Sequence, residues 1–343
     1  MSADGARTAR RREPTIADVA RLAGVSAQTV SRTATGAEVV SPETRERVLQ
    51  AMEQLGYSPN RAARALRNGR YGTIGLLAHD FHRTGEALTT DAVLHAARAE
   101  DYTVTLLTVP TADTGDWVPA AARLQHQSID GLIIIRAEGG SADRIALPPR
   151  FPVAVSDSRA AGLYPCVVAD EALSMRTAVE HLLQLGHRVV HHIAGPADSE
   201  PARLRTLGWR GALEDLGIVP PKPIVGDWTV ESGYVAGQIL AADPGVTAVV
   251  CANDEMAIGL IAALHEAGRS VPTDVSVVGF DDIALSRYTA PALTTVRQDF
   301  QRMGSELFRL VLDQVRGRSP QETPHVIVPT ELIVRGSTAP PRH

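Results

Sequence analysis

Three histidines, His187, His191 and His192, fall within one short stretch, and two acids stand side by side at Asp281 and Asp282. Neither set makes a reactive centre. His191 and His192 are adjacent in the β-branched run VVHHIA (189–194), where alternation sends neighbours to opposite faces, so they cannot share one metal ion. His79 and His82 lie just past another apolar run and are no stronger as a metal pair. The acid pair comes without a nucleophile, a base and a group to orient it. No G-x-x-x-x-G-K-[ST] or G-x-S-x-G string occurs. Cys166 and Cys251 are far apart, each in an apolar run, and read as buried hydrophobes in a reducing compartment. The expectation is a protein without catalytic residues, metal or cofactor.

What such a chain does must then follow from its elements. Thr15 can cap a first helix, with Asp18 at the capping-box position and Gly24 at its end, giving roughly Ile16 to Ala23. Ser26 caps a second short helix through Ser31 and Arg32. Ser41-Pro42-Glu43 supplies a cap, a proline at the first helical position and an acidic first turn. That third helix should bury Val48, Leu49, Met52 and Leu55 and stop at Gly56. Three short helices with a Gly-Val turn between the first two are a helix-turn-helix layout.

From Thr73 the period changes. TIGLLA (73–78), TVTLLT (103–108), GLIII (131–135), VVHHIA (189–194), TAVVCA (247–252) and VSVVGF (275–280) read as buried strands. Helices such as Asp170 to Leu185 and Glu255 to Ala267 lie between them, each closed by a glycine. Strand and helix in alternation predict two doubly wound parallel sheets. A chain of 343 residues also needs more than one core.

Charge separates the two parts. Residues 1–70 carry 12 arginines against 7 acidic residues, a net of +5, and the remainder carries 22 basic against 32 acidic, a net of −10. A basic end attracts phosphate without regard to sequence, and an acidic body resists unspecific sticking. Residues 1–13 are small, charged and unpatterned, as expected of a disordered arm. Without an apolar stretch at the start or a run of 18 apolar residues, the expected location is the cytoplasm, with no membrane contact.

The first part resembles the DNA-binding headpiece of the LacI/GalR family of bacterial repressors. The family pattern D-V-A, A-G-V-S, T-V-S-R, S-x-x-T-R-x-x-V and G-Y-x-P-N stands here at Asp18–Ala20, Ala23–Ser26, Thr29–Arg32, Ser41–Val48 and Gly56–Asn60. The resemblance puts Ala27, Gln28 and Arg32 at base-reading positions, where glutamine suits adenine, arginine guanine and alanine a thymine methyl. Thr15, Ser26, Thr29, Ser31 and Thr44 are the expected phosphate partners. Thr33 and Thr35 depart from the usual valine and asparagine of the family. The resemblance also implies a hinge helix over RAARAL, capped by Asn60, with Ala63 allowing close approach and Leu66 wedging between base steps in the minor groove.

The rest resembles the family's effector domain, which is similar to periplasmic sugar-binding proteins. ARLRTLGW (202–209), GDW (226–228), ANDEMAIG (252–259), SVVGFDD (276–282) and LTTVRQDF (293–300) closely match a sugar-induced member. The match implies that Asp157, Arg205, Asn253, Asp281 and, less directly, Gln298 meet a sugar's hydroxyls while Trp228, Phe280 and Phe300 meet its ring faces. The string HDFHRTGEAL (79–88) does not match, leaving His79 as a lining residue by position and the ligand open between a sugar, a sugar phosphate and a purine.

The expected organisation is thus an all-α helix-turn-helix headpiece (14–58), a hinge and linker (59–71) and a periplasmic-binding-protein-like α/β body (72–343) of two lobes. Lobe one spans 72–169 plus 297–325, and lobe two 170–296 plus 326–336. The expected partners are double-stranded operator DNA, a small sugar effector and a second copy of the chain. The last residues lack leucine heptads, so the expectation is a homodimer rather than a tetramer.

Overall fold

The computed structural model describes residues 14–34, 39–57, 69–78, 83–108, 128–135, 151–318 and 323–342. The chain forms two compact units, Met1–Tyr71 and Gly72–His343. Calls on the arm, on Thr35, on the hinge residues Asn60, Ala63 and Leu66, and on His79 lie outside the described residues.

In the first unit, helices α1 (Ile16–Ala23), α2 (Ala27–Ala34) and α3 (Pro42–Leu55) surround a small core of Val19, Ala20, Ala23, Val30, Val48, Ala51 and Met52. The Thr15 backbone N–H and hydroxyl both donate to Asp18 Oδ2, at 2.9 and 2.6 Å, which fixes the start of α1. Gly24, at φ +65°, ends it in the left-handed conformation that a side chain would resist. The expected burial of Leu49 is corrected: it is exposed, and Ala51 fills the core position, because the inward stripe of α3 runs through 48, 51 and 52.

The second unit holds two six-stranded sheets. In the first, β1 (Thr73–Ala78), β2 (Thr103–Thr108), β3 (Gly131–Ile135), β4 (Val153–Ser156), β5 (Cys166–Ala169) and β11 (His325–Val328) are all parallel, in the order β11-β5-β4-β3-β1-β2. In the second, β6 (His191–Ala194), β7 (Ile224–Val225), β8 (Ala248–Cys251), β9 (Ser276–Asp281), β10 (Thr294–Arg297) and β12 (Glu331–Ile333) follow the order β12-β10-β9-β8-β6-β7. Only β12 runs antiparallel there, against β10. Runs such as Gly131–Ile135 are buried at every position, as strands covered on both faces must be.

The helices are α4 (Thr84–Ala99), α5 (Glu171–Gln184), α6 (Glu200–Glu214), α7 (Val230–Ala241), α8 (Asp254–Glu266) and α9 (Phe300–Val315). α9 and α4 pack on the first sheet around Leu307, Phe308 and Val311, while α5 and α6 cover the second around Met175 and Trp209. One lobe boundary is corrected. The last passage into lobe two comes after Val328, because β11 adds itself to β5 through the register His325 to Cys166 and Val328 to Ala169. Residues 326–328 therefore belong to lobe one.

Candidate functional site: a polar cleft and an exposed recognition helix

Parallel sheets end their strands on one edge, and the loops that follow converge there. In this body the loops after β8, β9 and β10 of one lobe face the N-terminus of α4 and the ends of β3 and β4 of the other across a cavity of about 500 Å³. Of the nine residues expected at an effector, six line it: Arg205, Trp228, Asn253, Asp281, Gln298 and Phe300.

Arg205 organises the floor. Its Nε donates to Glu171 Oε2 at 2.7 Å and one terminal nitrogen to the Ala252 carbonyl. The other lies 3.6 Å from Asp281 Oδ1. The guanidinium sits 3.8 Å from the centre of the Phe280 ring and 5.5 Å from that of Trp228. Burial by itself would weaken the cation, but Glu171 and Asp281 outweigh it and hold the arginine more firmly charged than usual.

Asp281 ends β9 with φ +112°, next to Asp282 at +56°, and Trp228 has φ +75°. These are conformations that non-glycine residues rarely adopt, and they cluster at this cavity. Asp254 pins the loop, accepting from Thr295 Oγ1 at 2.6 Å and from the Ile283 N–H at 2.9 Å. Gly279 leaves the room for it, since a Cβ there would lie 2.1 Å from Asp254 Oδ1. Gln298 Nε2 donates to Asp281 Oδ1 at 2.7 Å. Burial pushes the Asp281 carboxyl up to about 7, with Arg205 and Gln298 opposing the rise and Glu255 and Glu171 adding to it.

Asn253 caps α8 by accepting from the Met256 N–H at 3.0 Å, and its amide donates to the Trp228 carbonyl and to Glu255 Oε2, both at 2.9 Å. It therefore braces the Trp228 loop as well as lining the cleft. The Trp228 ring lies on Gly195, where a Cβ would come within 2.5 Å of ring carbons.

Two expected contacts stand elsewhere. Asp157 is corrected from the main cavity to a neighbouring one of about 50 Å³. It caps the turn Ser158–Ala160 directly after β4 and is bound by the Arg159 side chain at 2.9 and 3.1 Å, which turns it inward. Phe280 is corrected from the wall to the layer beneath, fully buried under Arg205, because its strand position points into the core of lobe two. Sequence reasoning missed Glu171, Asp227, Glu255, Thr84, Glu86 and Met303, which also line the cavity. Glu255 lay inside the string 252–259; Glu171 could have been found as the first helical residue after a strand.

His187, His191 and His192 do not line the cavity. His192 is buried, bonds the Val250 carbonyl at 3.1 Å and is driven by burial to about 4, so it is neutral. His187 lies between Thr247, Ser276 and the Ala339 carbonyl. Among the described residues no group of three or more His, Cys, Asp or Glu could hold a metal, and no helix is long and apolar enough to cross a membrane.

In the first unit, α2 turns Val30 and Thr33 inward and leaves Ala27, Gln28 and Arg32 exposed. Gln28 and Arg32 are four apart and share a face. Ser26 accepts the Thr29 N–H at 3.1 Å and meets its hydroxyl at 3.0 Å, so the helix start is capped by the two hydroxyls expected at phosphate. Ser41 caps α3 in the same way with Thr44.

Residues 15–60 match the family model of bacterial regulatory proteins, lacI family, and residues 179–338 match that of periplasmic binding protein-like domains. The chain is 35% identical to the lactose operon repressor of Klebsiella pneumoniae over 341 residues, covering 96% of this chain and 94% of that one. The solved lac repressor dimer bound to operator and the anti-inducer ONPF superposes with a TM-score of 0.84 at 32% identity, over 96% of this chain and all of that one. The structure of a transcriptional regulator CelR–cellobiose complex superposes with a TM-score of 0.71 at 31% identity, over 94% and 99%. The helix-turn-helix unit, the two-lobed body and these matches together show that the chain belongs to the lacI family of bacterial regulatory proteins.

Proposed function

We propose that this regulator is a homodimeric, cytoplasmic repressor that binds a two-fold symmetric operator through α2 and is released when a neutral sugar enters the cleft of the body. The DNA reading is supported by the exposed Ala27, Gln28 and Arg32 on a helix whose start is capped by Ser26. Leu66, outside the described residues, keeps its proposed part as the minor-groove wedge.

The effector reading rests above all on the chemistry of one cavity. Asp281, Gln298 and Arg205 offer acceptors and donors beside the rings of Trp228 and Phe300, the combination that hydroxyls and ring carbons require. A sugar phosphate or other anion is disfavoured. Among the described residues, Glu86, Glu171, Asp227, Glu255 and Asp281 line the cavity against Arg83 and Arg205, and Glu171 already engages Arg205. Like charges brought together there would cost several kcal/mol. No catalytic step is assigned, since Asp281 faces a guanidinium and an amide rather than a nucleophile.

The test is selection of bound fragments from genomic DNA by the full chain, followed by titration with cellobiose, lactose, glucose and glucose 6-phosphate. Release by a neutral sugar and not by the phosphate supports the reading. Selective release or tightening by the phosphate would overturn its effector part.

A further inference from the structure

Two hydroxyl–carboxylate hydrogen bonds join the lobes of the body. Thr84 Oγ1, at the first residue of α4, donates to Glu255 Oε1 at the start of α8. Ser158 Oγ, just after β4, donates to Glu200 Oε1 at 3.1 Å, at the start of α6. Both carboxylates sit in the first turn of a helix, where the dipole favours negative charge. The surroundings of the two bonds differ. Ser158 and Glu200 line the cavity of about 50 Å³, room for a few waters and no more. Thr84 and Glu255 line the large one.

Glu255 does more than meet Thr84. Its second oxygen takes the Asn253 amide at 2.9 Å, and the same amide holds the Trp228 carbonyl at 2.9 Å. One carboxylate thus connects the wall of lobe one to the loop that carries the indole. Trp228 itself stands at a left-handed φ of +75°, a conformation that persists only when its surroundings enforce it.

We propose that Glu255 is the positioning residue of the cleft: it ties α4 of lobe one to the Trp228 loop of lobe two, and losing either half of that tie opens the large cavity at Trp228. The Ser158–Glu200 bond, at a cavity too small for an effector, is a separate fastening that leaves Trp228 unaffected. The claim concerns the empty protein, so it goes beyond the effector reading and is tested without sugar or DNA. A failure of sugar response would leave it standing, and its failure would leave the sugar reading standing.

The experiment is acrylamide quenching of tryptophan emission in the full chain carrying Trp117→Phe. The remaining indoles are then Trp209, fully buried with its N–H on the Val190 carbonyl at 2.8 Å, and Trp228 at the cavity. Thr84→Val and Glu255→Ala should each raise the quenching constant at least about twofold, and Ser158→Ala should not change it. Thr84→Ser keeps the hydroxyl, and Glu255→Gln keeps an oxygen to accept the Asn253 amide and an N–H to donate to the Thr84 hydroxyl, so both should stay near the parent. Melting temperature and far-ultraviolet circular dichroism, measured alongside, identify any variant that has lost its fold, and the two conservative variants then carry the test. Unchanged quenching in Thr84→Val and Glu255→Ala, or equal quenching in Thr84→Val and Thr84→Ser, would overturn the proposal.

Discussion

The exposed face of α2 and the floor of the cleft are both polar, yet they are built in opposite ways. On α2, Ala27, Gln28 and Arg32 project outward from a helix anchored by Val30. In the cleft, Arg205, Asp281, Asn253 and Gln298 are each less than a tenth exposed and bonded to one another or to backbone. A side chain that reads a base edge gains its specific bonds on the DNA, from an exposed position. A side chain that must favour one ligand in one lobe arrangement is fixed in advance, at some cost in stability. Substitutions should therefore act on binding alone at the exposed face of α2 and on folding and binding together in the cleft.

The largest effect is expected at Arg205→Ala. It would leave Glu171 and Asp281 buried without their cation, and breaking such a group by removing one member costs about 3–5 kcal/mol. Thermal unfolding of the body should show a correspondingly lowered midpoint. Arg205→Lys should recover only part of this, because an ammonium cannot serve Glu171, the Ala252 carbonyl and Asp281 in one plane. An unshifted midpoint in both variants would erase the contrast with α2.

A second difference is one of pH. The folded carboxyl of Asp281 is raised from an ordinary 3.8 to about 7, so between those values the folded state binds the extra proton. This group's contribution is fully present below about 4 and is lost as pH rises through about 7. Asp281→Asn should flatten that part of the stability profile and stabilise the body at pH 8. Sugar hydroxyls prefer the ionised acceptor, so effector affinity of the parent should rise between pH 6 and 8. Stability that rises over that interval because of Asp281 would contradict the assignment.

On α2, Gln28→Ala should weaken the best operator by about 1–3 kcal/mol and relax base preference at one position per half-site, with no change in unfolding midpoint. An altered midpoint with an unaltered binding site would reverse the comparison. The smallest effect is at Thr33, buried with a hydroxyl that finds no hydrogen-bond partner among the described residues. Thr33→Val removes that penalty in nearly the same shape and should stabilise the headpiece by about 1 kcal/mol in chemical denaturation.

The same contrast explains how much could be read beforehand. Helix α1, with its capping box and glycine stop, and six strands were legible because local chemistry and period decide them, but the expected burial of β2 is corrected: at the edge of its sheet, none of its residues is buried. β4, β5, β7 and β10–β12 were not: each has only two to four residues, and nothing beside them extends the signal as the runs 189–194 and 247–252 do around β6 and β8. In the cleft, Arg205 and Asp281 were legible from the strings that carry them, whereas Asp157 is drawn away by Arg159 and Phe280 by the core of lobe two. Glu171 and Thr84 escaped notice because their roles arise between distant elements: Glu171 meets Arg205 across 34 positions and Thr84 meets Glu255 across 171.

The central claim is that occupancy of the cleft sets the affinity of the headpiece for DNA. The direct measurement is operator affinity at fixed salt, with and without the sugar identified by titration, in the parent and in Asp281→Asn, which preserves shape and removes the charge. The account predicts a change of about tenfold or more in the parent and less than about twofold in the variant, with equal affinities in the absence of sugar. An Asp281→Asn protein that responds at the parent's sugar concentration would place the controlling site elsewhere.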